Sequence, residues 1–224
     1  VSLCEADAYE RGPEAARLIV LGDFVDRGPA SRSIIEFLMD GARSPIFEWI
    51  VLQGNHEAMM LTVLDNPNAE LMRWWVGNGG GQTLASYGYR QGDDLLPLKV
   101  PQAHRDWLGA QPVFVEDEHR IYVHAGVPAF QPVAEARADT LQWMLYSREG
   151  IEGPAEVLTD EPHCSGKHIV HGHHQSASHP LLLPHRTNLD SFAWRTGHAA
   201  IGVFDDALPG GPIAILDAIG EPMR

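Results

Sequence analysis

Hydrophobic and polar positions in the first third of the chain repeat one pattern twice. Apolar runs at residues 17–22 and 47–53 each end at or just before a glycine, which is typical of short buried strands. After a polar loop, each run is followed by a segment with apolar residues at helical spacing, at residues 31–41 and 57–64. Two strand–loop–helix units in tandem predict βαβ architecture and an α/β fold.

The rest of the chain differs in character. Trp74, Trp75 and the run Gly79-Gly-Gly81 predict a helix followed by a flexible turn. Further strands are predicted at short apolar runs, which cover residues 113–115, 120–123, 169–170, 199–204 and 213–216. Residues 208–212, Leu-Pro-Gly-Gly-Pro, predict a turn between the last two strands. We expect a single domain over residues 1–224, built as two mixed β-sheets packed face to face with helices outside.

The composition is that of a globular protein, and it narrows the range of partners. Hydrophobic residues make up 44% of the chain and charged residues 21%. The formal net charge is -14, so the electrostatic attraction that drives nucleic-acid binding is absent, and we expect no nucleic-acid partner. An acidic surface also repels phosphorylated substrates. A site for them therefore needs its own positive charge, from metal ions or a placed arginine.

Cysteine usage and hydropathy indicate the compartment. Cys4 and Cys164 lie far apart without a CxxC spacing, which supports neither a disulfide framework nor a thiolate zinc site. We therefore expect a reducing, cytoplasmic location. No apolar run approaches the ~20 residues of a membrane span, so we expect no membrane partner.

Four short segments place oxygen and nitrogen ligands directly after predicted strands. They are Gly22-Asp-Phe-Val-Asp-Arg-Gly28, Gly54-Asn-His-Glu57, His124-Ala-Gly126 and His171-Gly-His-His174. Side chains at strand ends are held rigidly, so a carboxylate, an amide and imidazoles placed there bind a cation at a small ordering cost. The mixed oxygen and nitrogen set, without thiolate, suits Mn²⁺, Fe or Zn²⁺ better than a structural zinc.

Each segment has a simpler interpretation when taken alone. Asp23 beside a glycine is typical of a turn or a helix cap, and residues 55–56 are typical of a solvated loop. His124 fits a hydrogen-bonded histidine at a sheet edge, and residues 171–174 fit a histidine-rich surface tract that binds metal adventitiously. The four segments in this order are hard to explain by chance, so their joint occurrence favours a metal site.

The series GDFVDRG, GNHE, HAG and HGH resembles the motif series of the bacterial PPP-type serine/threonine protein phosphatases, members of the calcineurin-like metallophosphoesterase superfamily. Further similarity to the bacterial members lies in residues 75–88 and 187–190. The resemblance covers about residues 18–206. It implies the metallophosphatase-type αββα sandwich, with two mixed β-sheets flanked by helices.

The resemblance also implies a set of metal ligands. Asp23 would bridge two metal ions, and Asn55, His124 and His173 would complete the shell of the second ion. His173 is preferred over His171 because the family's ligand is the histidine that follows the glycine. Two divalent ions are implied, with manganese favoured and iron or zinc as alternatives.

Roles in catalysis follow in the same way. Arg27 would bind the phosphoryl oxygens of the substrate, which supplies the positive charge that the acidic composition demands. His56, oriented by Asp26, would protonate the leaving oxygen while the metal ions activate a water. The family's second phosphate-binding arginine stays unassigned, because Arg148, the next arginine after the similar segment Leu141-Gln-Trp143, is displaced by a few residues. The role of His174 stays open.

One departure from the family concerns the start of the chain. Relatives open with a strand that ends in Asp-x-His-Gly, whose Asp and His bind the first metal. Residues 1–21 contain no match, and residues 1–10 are typical of the end of the helix that follows that motif. We therefore expect a chain that begins inside the domain, lacks the N-terminal strand and binds the first metal weakly.

Three functions remain at this point. The leading one is a metal-dependent phosphomonoester hydrolase, specifically a serine/threonine protein phosphatase that acts on phosphorylated proteins or small phosphoesters. The second is a diadenosine tetraphosphate hydrolase, because those hydrolases resemble the same motif series. The third is a pseudophosphatase binding module without the first metal site. Asp26, Arg27 and His56 argue against the third, since turnover needs them more than folding does.

Overall fold

The computed structural model describes residues 1–12, 15–40, 46–90, 92–93, 99–146, 160–175 and 180–219. The chain divides into two compact units: unit I is Ala15–Pro112, and unit II combines Val1–Glu14 with Val113–Arg224. Helix α1 (Ser2–Arg11) opens the chain within unit II and agrees with the helix expected there. The expectation of a single domain stays a prediction.

Unit I contains two parallel strands and a set of helices. β1 (Ala16–Val20) and β2 (Phe47–Val51) pair in register from Ala16 opposite Phe47 to Val20 opposite Val51. The helices are α2 (Ser31–Met39), α3 (Asn55–Asp65), α4 (Ala69–Trp75), α5 (Gly81–Ser86) and α6 (Gln102–Gly109), and a kinked segment (Val76–Gly80) joins α4 to α5. Both predicted strand–loop–helix units are confirmed.

The core of unit I is built around α3. Met59, Met60 and Val63 lie on one face of this helix and are buried together with Ile35 of α2 and Leu108 of α6. Burial of each such side chain contributes roughly 1.5–3 kcal/mol. The first turn of α3 is therefore anchored by a well-packed helix.

The turn expected at Gly79-Gly-Gly81 is present, because the backbone is non-helical at Gly79 and kinks between α4 and α5. Gly79 has φ 107°, and a Cβ built there would lie 2.6 Å from Cγ of Arg27. A Cβ on Gly80 would lie 2.6 Å from the indole ring of Trp75. These glycines permit close packing at the kink, and the expected flexibility stays a prediction.

Unit II is organised around a five-stranded mixed sheet with the order β3-β4-β5-β7-β6. Its strands are β3 (Phe114–Glu116), β4 (Arg120–Val123), β5 (His168–His171), β6 (Leu181–Leu182) and β7 (Arg186–Asn188). β4, β5 and β7 run parallel, while β3 and β6 pair antiparallel at the two edges. The carboxyl ends of the three parallel strands therefore lie side by side.

The remaining helices and strands of unit II lie between or after these strands in the sequence. They are a 3₁₀ helix (Val133–Glu135), α7 (Ala138–Trp143), α8 (Ala193–Thr196), and the antiparallel pair β8 (His198–Val203) and β9 (Ala214–Ile219). The predicted turn at residues 208–212 connects β8 to β9. Buried Arg120 holds this connection, since its guanidinium donates to the carbonyls of Asp205, Leu208 and Gly210.

The α/β class is confirmed, although the sheets divide differently from the expectation. Among the described residues there are three sheets, of which the five-stranded one is mixed, β1–β2 is parallel and β8–β9 is antiparallel. The sequence pattern missed β6 and β7 because strands of 2 and 3 residues are too short for a hydrophobic period to register. In the described part of the chain, no helix has the length and apolar character needed to cross a bilayer.

Candidate functional site

The loop after β1 carries three candidate residues in a strained backbone conformation. Asp23, Asp26 and Arg27 have φ values of 55°, 70° and 59°. In the described ranges, the other non-glycine residues with positive φ are His173 and Phe192. A side chain disfavours this region, so such residues persist only where the surrounding structure fixes them, and they concentrate at functional sites. Four of the five positions are thus candidates from the sequence.

Glu57 fixes this loop from the first turn of α3. Its Oε2 accepts hydrogen bonds from the backbone N–H groups of Asp23 and Gly54, both at 2.8 Å. Its Oε1 accepts from the N–H groups of Phe24 and Val25, at 2.9 Å and 3.0 Å. One buried carboxylate thus ties the loop after β1 to the loop after β2, and it also caps α3. Sequence reasoning missed this role, although an acid three residues after the cap position is a capping signal.

Asp23 is held against the amino end of α3. The backbone N–H of His56 donates to its Oδ1 at 3.1 Å. A Cβ built on Gly54 would overlap this carboxylate and lie 2.6 Å from the Asp23 backbone nitrogen, so only glycine fits there. Asn55, the first residue of α3, is buried beside them. The amino end of a helix favours a carboxylate, which accounts for the placement of Asp23.

Asp26 and His56 form a buried pair. Oδ2 of Asp26 lies 2.7 Å from Nδ1 of His56, and the exposure of both side chains is 3% or less. Nε2 of His56 lies 3.9 Å from Oδ2 of Asp23. The ring therefore turns one nitrogen to Asp26 and the other toward Asp23, which is the arrangement of an oriented proton donor. Its role in catalysis stays a prediction.

Arg27 is anchored through its backbone and its aliphatic stem. Its backbone N–H donates to the carbonyl of Gly79 at 3.0 Å, and its Cγ packs on the same glycine. The kinked segment at Gly79 thus fixes the start of the Arg27 side chain. Arg148, to which the resemblance assigns no role, lies outside the described residues.

In unit II, His124 and His173 come together at the carboxyl ends of β4 and β5. Nε2 of His124 lies 3.2 Å from Nδ1 of His173. The backbone supports this approach, since the N–H of Gly172 donates to the carbonyl of His124 at 2.9 Å. Trp143, at the end of α7, meets the His173 ring edge-to-face with 6.2 Å between centroids.

A buried aromatic and cationic stack supports these histidine loops. Tyr146 lies 5.2 Å from the ring of His171 and 5.6 Å from that of His174, and the Arg186 guanidinium lies 3.6 Å over its ring. A Cβ on Gly126 would lie 2.5 Å from the Tyr146 ring, which explains the glycine of the HAG segment. Tyr146 and Arg186 were missed because neither belongs to a motif.

His171 and His174 are neutral in this environment. Burial, followed by the effect of His174, holds the pKa of His171 well below its ordinary value. Burial, followed by Arg186, lowers the pKa of His174 to about 4. Nδ1 of His171 lies 2.9 Å from the carbonyl of Gly172, and within the described ranges Nε2 of each ring is buried without a hydrogen-bond partner. The structure thus gives His171 a buried setting.

The donors in each unit fit divalent metal ions. Two nitrogens bound to one tetrahedral ion at ~2.0–2.1 Å lie about 3.3 Å apart, which matches the His124–His173 separation of 3.2 Å. An N–H···N hydrogen bond between the rings suits the same distance. In unit I, Asp23 and Asn55 offer carboxylate and amide oxygens at a helix amino end. Oxygen and imidazole donors without thiolate suit manganese, iron or zinc.

Comparison with known proteins identifies the family. The family model for calcineurin-like phosphoesterases matches residues 6–199. The chain belongs to the calcineurin-like phosphoesterase family. This phosphoesterase also resembles, in fold alone, a hypothetical protein from Pyrococcus horikoshii OT3, with a TM-score of 0.52 and 13% identity over 98% of this chain and 80% of the other.

Curated relatives differ from the leading expectation. A symmetrical bis(5'-nucleosyl)-tetraphosphatase from Neisseria meningitidis serogroup A is 29% identical over 143 residues, or 62% of this phosphoesterase and 39% of the relative. The same enzyme from Chromohalobacter salexigens is 29% identical over 143 residues, covering 60% and 42%. The chain spans about two fifths of the length of these relatives. The similarity favours the dinucleotide hydrolase over the protein phosphatase.

Proposed function

We propose that this phosphoesterase hydrolyses bis(5'-nucleosyl) tetraphosphates in a metal-dependent reaction. Its similarity to two symmetrical tetraphosphatases over 143 residues supports the substrate class. The observation that carries a hydrolytic role is the buried Asp26–His56 pair, with the free edge of the imidazole 3.9 Å from Asp23. Binding alone gives no reason to bury an oriented acid beside a carboxylate.

Metal binding is part of this proposal. The family resemblance assigns Asp23, Asn55, His124 and His173 to metal binding, and the donor geometry within each unit fits that assignment. Divalent ions, when bound, neutralise phosphate charge and lower the pKa of a bound water toward ~7. Manganese, iron and zinc all suit these donors.

The chain's own residues position the substrate and move one proton. Arg27 binds the phosphoryl oxygens through its planar guanidinium, which matches a phosphate in a bidentate manner. Asp26 accepts from Nδ1 of His56 and so presents Nε2 to the leaving oxygen. Symmetrical cleavage of a tetraphosphate releases two nucleoside diphosphates. A diphosphate is a far better leaving group than a serine alkoxide, so it depends less on His56.

A phosphoserine or phosphothreonine protein phosphatase is the second candidate. The similarity of residues 75–88 to the bacterial phosphoprotein phosphatases favours it, and the structure shows that this segment contacts Asp26 and Arg27. The strongly acidic chain, at net charge -14, makes nucleic acid an unsuitable partner for either activity. We place either reaction in the cytoplasm, consistent with the free cysteines Cys4 and Cys164.

A direct substrate comparison tests the proposal. The purified chain with Mn²⁺ is given diadenosine tetraphosphate, a phosphoserine peptide or p-nitrophenyl phosphate, and products are separated by anion-exchange chromatography. ADP as the sole nucleotide product, formed faster than phosphate from the peptide, supports the dinucleotide hydrolase. Faster release from the peptide supports the second candidate. No turnover of any substrate by a chain that still binds manganese indicates the pseudophosphatase.

His56→Asn separates the two chemistries further. The substitution keeps a hydrogen-bonding group beside Asp26 but removes the proton donor. Turnover of phosphoserine is expected to fall by about 10²-fold or more, while diadenosine tetraphosphate and p-nitrophenyl phosphate lose much less. The exposed His185→Asn is the control. Equal losses on all three substrates would remove His56 from the role of proton donor.

A further inference from the structure

We propose that Trp75 and Thr83 are positioning residues that fix the Asp26 carboxylate and, through it, the His56 ring. The inference deepens the proposed function and rests on it for the catalytic meaning of His56. Neither residue touches a candidate metal ligand or the substrate-binding Arg27 in the contacts described above. Their effect on catalysis therefore has to pass through Asp26.

Three side chains form hydrogen bonds with the buried Asp26 carboxylate. The Asp26 side chain has 0% exposure, so each of its oxygens needs donors from the protein. The indole Nε1 of Trp75 lies 3.0 Å from both oxygens. The Thr83 hydroxyl donates to Oδ1 at 2.7 Å, and Nδ1 of His56 meets Oδ2 at 2.7 Å. With Oδ1 occupied by Thr83, Oδ2 is the oxygen that faces the imidazole.

The Thr83 hydroxyl has one consistent set of hydrogen bonds. It accepts from the backbone N–H of Asp26 at 2.9 Å and lies 2.9 Å from Oγ of Ser31. A hydroxyl has one proton and two acceptor lone pairs. If its proton goes to Asp26 Oδ1, then the N–H of Asp26 and the hydroxyl of Ser31 occupy its two lone pairs. Thr83 thus holds the backbone and the carboxylate of Asp26 at once.

Trp75 and Thr83 reach one carboxylate from two different helices. Trp75 ends α4 and Thr83 is the third residue of α5. Eight residues along a regular α-helix leave two side chains about 80° apart in direction. The kink at Gly79 between the two helices changes that direction, and Gly80 lets the indole pack close to the backbone.

The consequence is a defined orientation for the His56 ring. If either donor is lost, the carboxylate rotates or recruits water, and Nδ1 of His56 loses its fixed acceptor. A misdirected Nε2 slows only those reactions whose leaving group needs a proton. A purely structural role for Trp75 and Thr83 would instead lower all activities together with stability.

The kinetic test uses aryl phosphates that differ in leaving group. Thr83→Val, Thr83→Ser and Trp75→Phe are assayed with Mn²⁺ on phenyl phosphate and on p-nitrophenyl phosphate. We expect Thr83→Val and Trp75→Phe to lower kcat for phenyl phosphate about tenfold with KM unchanged, and to change p-nitrophenyl phosphate less than threefold. Thr83→Ser, which keeps the hydroxyl, is expected to retain wild-type rates. Equal losses on the two esters, or equal behaviour of the valine and serine variants, would overturn the inference.

A spectroscopic test needs no activity at all. In the chain labelled with ¹⁵N-histidine, the proton on Nδ1 of His56 is identified by its absence from His56→Asn. We expect its downfield, hydrogen-bonded signal in the wild type and in Thr83→Ser, and its loss or upfield shift in Thr83→Val. An unchanged signal in the valine variant contradicts the inference. If the wild type hydrolyses neither diadenosine tetraphosphate nor an aryl ester, the proposed function fails, whereas this signal still decides whether Thr83 positions the pair.

Discussion

At the scale of single residues, the candidate site of unit I depends on backbone conformations that a sequence does not display. Asp23, Asp26 and Arg27 could be selected as motif residues, but their positive φ values could not. The sequence also does not show that Glu57 accepts the hydrogen bonds that hold this loop in its strained conformation. Three of its four backbone hydrogen bonds join residues 32 to 34 positions apart in sequence, so no local pattern reveals them.

The first prediction concerns this carboxylate. Glu57→Gln keeps the shape of the side chain but turns an N–H group toward at least one of the four N–H donors. We expect the free energy of unfolding to fall by roughly 2–4 kcal/mol, because buried donors lose a charged acceptor. Urea unfolding followed by circular dichroism measures the change. Glu36→Gln, in an exposed ion pair with Arg32, is the matched control and should change the free energy of unfolding little.

A second prediction at this scale concerns Asp23. Asp23→Asn removes the charge while keeping the acceptor for the N–H of His56. We expect manganese bound per chain to fall and activity to be lost, since a neutral amide is a weak ligand for a divalent ion. Elemental analysis after dialysis measures the bound metal. The exposed Asp139→Asn should bind as the wild type does, and unchanged metal content in Asp23→Asn would mean that Asp23 is only a turn residue.

At the scale of elements, hydrophobic periodicity predicted the strands and helices that are long enough to show a period. The strands at residues 17–22 and 47–53 and the helices that follow them are present, because four or more residues of apolar run or helical spacing define them. The three glycines at residues 79–81 were interpreted as a flexible turn, since glycine usually interrupts a helix. Gly79 does interrupt the helix here, but the close approach of Trp75 and Arg27 is a tertiary contact that is invisible in a local window.

Gly80 and Gly77, on either side of the kink, provide a matched pair for testing the role of close packing. Gly80→Ala places a methyl group 2.6 Å from the Trp75 indole, and we expect a loss of roughly 1–3 kcal/mol in stability from overpacking. Gly77→Ala meets no atom within 4 Å, so it should be neutral or stabilise by about 0.4–1 kcal/mol through the unfolded state. Thermal unfolding of both variants gives the comparison. Equal behaviour would show that the glycines serve flexibility after all.

At the scale of the whole molecule, motif order identified the family, while the substrate class required comparison with relatives. Four segments after four strands pointed to a calcineurin-like phosphoesterase, and the family match over residues 6–199 agrees. The preference for a protein phosphatase was less well founded. The motifs that carry the resemblance bind metal and phosphate, which both substrate classes share, so they hold little information about the rest of the substrate.

The stability of unit II at acid pH depends on a buried histidine, His168. His168 begins β5, is 5% exposed and lies 2.9 Å from the Thr187 hydroxyl through Nε2. Burial lowers its pKa from 6.5 to about 4. Arg120 and His185 act in the same direction, while the Pro184 carbonyl and Asp160 oppose it. Below pH 6.5 the unfolded chain binds a proton at this histidine that the folded chain does not bind until pH approaches 4.

The stabilising contribution of neutral His168 is therefore fully present above pH 6.5 and is lost as pH falls from 6.5 toward 4. Buried His171 and His174 have lowered pKa values too, so the wild type should lose stability steeply over this window. His168→Gln keeps a partner for Thr187 but does not titrate. We expect its loss of unfolding free energy between pH 7 and pH 5 to be about 1 kcal/mol smaller than that of the wild type, after allowance for solvent screening. Urea unfolding at the two pH values measures this difference. If His168→Gln lost as much stability as the wild type, His168 would already be protonated in the folded chain at pH 5, and the burial of its ring would have to be relieved by water that reaches the amino end of β5.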